Sequence, residues 1–162
     1  TENNFKVIWM IRNYHSVINS SLAFWGETYA NVLKDIVFEK EISEDNWLQN
    51  NISNLDLEYI RNLSVKSFQS QDWVALIWWL VNKSIFDYNI YRNKRFKIIN
   101  YESIINKTEN TLKEIFSFLT LEYVPRENYL YRSSLNKYPK PMLNTEVENL
   151  CISLYKNLVE SS

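Results

Sequence analysis

Arg12 directly follows a nearly all-apolar run, FKVIWMI, and Ser20 stands eight positions later. A guanidinium at the end of a strand can grip a phosphate-like group with two parallel donors. Ser20, inside the helix suggested by the following residues, offers a hydroxyl donor. The start of that helix adds unpaired amides and a favourable dipole. Together these groups could hold a compact dianion. The residue types alone leave a plainer reading open: an arginine ending a strand and serines in an ordinary helix. Other reactive side chains are sparse, with His15 the only histidine and Cys151 the only cysteine. An intrachain disulfide and a metal site are therefore not expected. His15 has the right ordinary pKa for proton transfer near neutrality, but a surface or structural role is preferred for it.

The elements that must position these residues follow from hydrophobic pattern. Residues 5–11 are rich in branched side chains and suit a central strand covered on both faces. After the polar break RNYHS, Val17, Ser21, Phe24 and Trp25 fall at roughly helical spacing, and Gly26, the only glycine, ends that helix. Residues 29–38 and 55–63 predict further helices, and 65–91 contains a longer amphipathic stretch, unbroken or with one break, that carries the strongest apolar signal, WVALIWWLV. Trp73, Trp78 and Trp79 in it are read as core. The polar run EISEDNWLQNNISN predicts a connection or short turns.

RFKIINYES predicts a second strand and a bend, and TLKEIFSFLTL a helix with Leu112, Ile115, Phe116 and Leu119 on one stripe. YVPRENYLYRSSLNKYPKPM contains the three prolines and reads as an extended or looping segment. TEVENLCISLYKNLV predicts a final amphipathic helix, capped by Asn144 or Thr145. The order of elements predicts an α/β layer arrangement, although two strands are too few for a complete doubly wound sheet.

The 162 residues are 46% hydrophobic, enough for one domain with a sizeable core. A formal charge of −1 gives no broad basic bias toward nucleic acid. The apolar stretch from Trp73 to Val81 is too short to span a bilayer. No transmembrane segment, no nucleic-acid partner and a cytoplasmic location are expected.

The segment FKVIWMIRNYHSVINSSLAFW resembles the 3′-phosphate-binding region of PAPS-dependent sulfotransferases. In that family an apolar strand ends in an arginine and a serine follows eight residues later. FKIINYESIINKTENTLKEIFSFLTLEY is similar to the family's later strand, Tyr-Glu segment and helix, and DWVALIWWLVNKSIFDYN to the helix preceding it. The resemblance implies an α/β, partial P-loop-like sulfotransferase fold, with a parallel-sheet core and many flanking helices. It implies that Arg12 and Ser20 hold the 3′-phosphate of PAPS or its product PAP, that Tyr101 contacts the adenine, and that Arg132 and Lys137, in RSSLNKYPKP, contact the anion. The family's usual Arg-Asn-Pro start reads Arg12-Asn13-Tyr14 here, and the aspartate of Tyr-Glu-Asp-Leu is replaced by Ser103.

No counterpart of the family's phosphosulfate loop, with its catalytic lysine, stands upstream of residue 12. Residues 1–162 are thus expected to form a single sulfotransferase-like domain, incomplete at its N-terminus, with unknown catalytic residues. Completed by an N-terminal segment or another chain, it would transfer a sulfuryl group from PAPS to an acceptor hydroxyl or amine. The alternative is a noncatalytic helical interaction or structural module, whose exposed aromatics bind a partner chain.

Overall fold

The computed structural model describes residues 5–39, 47–125 and 138–162. Strand β1 (Val7–Ile11) leads into α1 (Tyr14–Trp25) and α2 (Glu27–Val37), then α3 (Trp47–Asn51), α4 (Asn54–Arg61) and the long α5 (Ser70–Asp87). Strand β2 (Phe96–Asn100), α6 (Tyr101–Asn106), α7 (Thr108–Leu119) and α8 (Thr145–Glu160) follow.

The organising element is α5. Every residue from Asp72 to Leu80 is buried, as a helix must be when its apolar side chains run all the way round. α1, α2 and α8 pack around it. Buried Ile18 of α1, Leu33 of α2, and Cys151 and Leu158 of α8 belong to the same core. The strands contribute only Ile11, Ile98 and Ile99 to the fully buried apolar set among the described residues. At about 1.5–3 kcal/mol per buried large apolar side chain, the run Trp73–Leu80 outweighs the sheet as a source of stability.

Local chemistry sets the ends of these helices. The Asn13 side chain accepts from the backbone N–H of His15 and caps α1. Gly26 separates α1 from α2 at φ +58°, and an added Cβ would meet nothing within 4 Å. The backbone angle, not space, calls for glycine there. α5 begins in a capping box between Gln69 and Asp72. Asn144 caps α8 by accepting from the Glu146 N–H. The bend predicted after β2 is the helix α6, capped by Asn100.

β1 and β2 pair in parallel, with Val7 opposite Phe96 and Ile11 opposite Asn100. One face turns to α5, where the Trp9 indole Nε1–H donates to Asn82 Oδ1 at 3.0 Å. On the other face α7 approaches β2 through an ion pair of Lys97 with Glu114 at 2.6 Å.

The expected α/β, P-loop-like sulfotransferase fold with a parallel-sheet core is overturned. The described residues are 68% helical, and the sheet among them is a small open pair of strands. The nucleotide-binding sulfotransferase core implied by the resemblance falls with it. The physical reason lies in where the apolar mass sits. It is concentrated on one helix that other helices surround, and five-residue strands cannot organise a layer of comparable size.

Candidate functional site

The C-terminal ends of β1 and β2 bring two of the expected site residues, Arg12 and Tyr101, together. The Arg12 guanidinium lies over the Tyr101 ring, 5.0 Å from its centroid, a stacked cation–π arrangement. Glu102 ties the two strand ends to α8. Its Oε1 accepts from the Asn13 N–H at 3.1 Å, and its Oε2 accepts from the Tyr155 hydroxyl at 3.3 Å. The Asn100 side chain in turn accepts from the Glu102 N–H at 2.8 Å. Burial, reinforced by the Glu102 charge, pushes the Tyr155 phenol up, so it stays a neutral donor to that carboxylate. Glu102 therefore works as a clamp between strand ends and α8.

Ser20 stands apart from this clamp. It is exposed on α1, six residues and so about 9 Å along the helix from Tyr14. Arg132 and Lys137 lie outside the described residues. Of the five residues named from the sequence, the fold thus places Arg12 and Tyr101 in contact and sets Ser20 on an exposed helix surface.

A second cluster joins α1 to α8. Glu148 accepts from the Tyr14 hydroxyl at 3.0 Å, faces His15 Nε2 at 3.2 Å and pairs with Lys140 at 2.8 Å. Burial raises the pKa of Tyr14, with Glu148 adding to the shift. Burial also lowers the pKa of His15, although Glu148 acts in the opposite direction. Burial alone would raise the pKa of Glu148, but its bonds with Lys140 and Tyr14 outweigh that and lower it. The single histidine thus sits against a carboxylate, with burial holding its pKa below the ordinary value. Cys151 is buried beneath, its thiol against the Ala75 carbonyl at 3.6 Å. Burial, with the charges of Glu148 and Asp72 adding, pushes that thiol up to about 12, far from the thiolate a nucleophile needs.

A third feature is a groove of about 380 Å³ between α3, the start of α4 and the last two turns of α5. Leu48, Ile52, Leu80 and Val81 give it apolar walls. Lys83 also lines it, paired with Asp56 at 3.0 Å and with Asp87. The sequence reading did not single out this groove. Two signals for it were present, the i,i+4 spacing of Lys83 and Asp87 and the Ser53-x-x-Asp56 helix start. Only tertiary packing shows that they meet.

Among the described residues no group of three or more His, Cys, Asp or Glu side chains could hold a metal ion, and no helix is long and apolar enough to cross a membrane. No family model, curated protein or solved structure matches this chain.

Proposed function

We propose that this chain is a noncatalytic interaction module, a helical scaffold that offers an open strand edge to a partner segment. The observation that carries the reading is the alternation of the β1 backbone. The Val7 N–H donates to the Arg95 carbonyl. In a parallel ladder this directs the backbone groups of Val7, Trp9 and Ile11 toward β2 and those of Ile8 and Met10 away from it. Among the described residues β1 pairs with β2 alone, and Met10 is 53% exposed. An unpaired edge of this kind is a template for an added strand, in which main-chain hydrogen bonds give affinity and alternate side chains give register. Phe24 and Trp25, exposed and in edge-to-face contact at 4.7 Å, supply a second apolar surface for a partner.

Two measurements test the proposal. Amide hydrogen exchange on the native chain is expected to find Ile8 and Met10 exchanging quickly and Trp9 and Ile11 slowly; equal protection across β1 would refute the open edge. Calorimetric titration with PAP, on the chain and on Arg12→Ala, is expected to give no saturable heat in either protein. Saturable binding that disappears in Arg12→Ala would overturn the noncatalytic reading in favour of a cofactor half-site.

A further inference from the structure

We propose that the groove between α3, α4 and α5 binds a small organic cation with an apolar body, of the class of aryl or alkyl amines. Its volume of about 380 Å³ falls within the usual range of small-molecule pockets. Its walls combine the aliphatic surface of Leu48, Ile52, Leu80 and Val81 with two exposed aromatic rings at the rim, Trp47 and Tyr88. Aliphatic walls take up an apolar body, and the faces of the rim aromatics attract a positive head.

Charge decides which head group fits. Asp56 and Asp87 converge on the one ammonium of Lys83, so the three groups together carry one net negative charge. Lys83 is committed: both carboxylates bond it, and it lies over the Trp79 ring at 5.5 Å. Its ammonium is therefore occupied where an incoming anion would need it. Asp56 is held further by the Ser53 hydroxyl, which donates to its Oδ2 at 2.7 Å. Asp87 is the more open carboxylate, its side chain 40% exposed against 17% for Asp56. An ammonium entering from the rim meets Asp87 while its apolar end rests on Leu80 and Ile52. A carboxylate in the same pose meets like charge. The groove is separate from the β1 edge, so this inference stands or falls independently of the interaction reading.

The test is calorimetric titration of the native chain at low ionic strength with three probes of matched shape: phenethylamine, hydrocinnamate and phenethyl alcohol. Saturable phenethylamine binding is expected, with hydrocinnamate at least about tenfold weaker and the alcohol between them. Asp87→Asn, a change at a partly exposed position whose fold is checked by circular dichroism, should bring the affinity for the amine down to that for the alcohol and leave the alcohol unchanged. Trp47→Ala should weaken the amine more than the alcohol, because only the amine carries a positive head for the ring to attract. Absence of amine binding, hydrocinnamate binding as tightly as the amine, or an amine affinity unaffected by Asp87→Asn would each overturn the proposal.

Discussion

Asp72 offers the most direct test of how this fold is held. It is 2% exposed, at the first turn of α5. One carboxylate oxygen accepts from the Gln69 N–H at 2.8 Å and closes the capping box. The other accepts from the Asn144 N–H at 2.7 Å, where the chain enters α8. One side chain thus fixes both the start of the central helix and the docking of the final one. Asp72→Ala would deprive two part-buried backbone donors, on Gln69 and Asn144, of their acceptor, at about 1–3 kcal/mol each. It would also remove an anion from a helix N-terminus, about 0.3–1 kcal/mol more. The combined loss is expected to be about 2–7 kcal/mol, a large part of the roughly 5–15 kcal/mol that holds a domain folded.

Urea unfolding followed by circular dichroism measures that loss. Asp72→Asn keeps one acceptor oxygen but turns an amide donor toward a backbone donor, so about 1–3 kcal/mol should go; this variant keeps the test open if the alanine variant does not fold. Asp56→Ala, which removes a more accessible ion pair and the acceptor of the Ser53 hydroxyl but leaves the Ser53 cap on the Asp56 N–H in place, is the control and should cost about 1 kcal/mol. A folded Asp72→Ala that loses less than about 1 kcal/mol would show that the two bonds do not carry the energy assigned to them.

Two further predictions follow from the α1–α8 contact. Cys151, buried and with its thiol pushed up to about 12, should react with an aromatic disulfide reagent at mildly alkaline pH only as fast as the chain opens; rapid stoichiometric labelling of folded protein would contradict its burial. Stability should also fall on acidification in two stages. His15 is held below its ordinary 6.5 by burial, so the unfolded chain takes up the proton first, and stability declines as pH drops below about 6.5 toward the lower folded value. Glu148 has a folded pKa below its ordinary 4.5 because Lys140 and Tyr14 outweigh its burial. Its contribution is therefore present above about 4.5 and is lost as pH falls through the folded value. His15→Gln should flatten the upper stage and Glu148→Gln the lower, read from urea midpoints across pH; a His15→Gln curve parallel to the parent's would refute the first assignment.

Much of the local structure was legible in the sequence. FKVIWMI and RFKIINYES each contain the strand they suggested, shortened to Val7–Ile11 and Phe96–Asn100. WVALIWWLV lies on the buried helix, Gly26 ends α1 and Asn144 caps α8. These features depend on side-chain periodicity and on bonds between residues a few positions apart, which a sequence displays directly. The bend after Tyr101 was misread, because a short helix capped by Asn100 and one turn of polar loop look alike in six residues.

The global arrangement was not legible in this way. Two apolar strand patterns and the family resemblance pointed to a parallel-sheet core, but the chain gathers its apolar surface around α5 instead. Which of several apolar segments becomes the centre depends on the sum of their mutual burial, and no single segment records that sum. The same limit applied to the sites. The resemblance assigned Arg12 and Tyr101 to different parts of one cofactor and said nothing of the contact the fold makes between them, and Glu102 with Tyr155, and Glu148 with His15, are separated by 53 and 133 positions. Asp56 reaches Lys83 only because α4 packs beside α5. Sequence by itself determined most of the helical and strand stretches, the short helices α3, inside EISEDNWLQNNISN, and α6 excepted; tertiary structure decided the core, the clamp at the strand ends and the charge of the groove, because those depend on groups that only the folded chain brings within bonding distance.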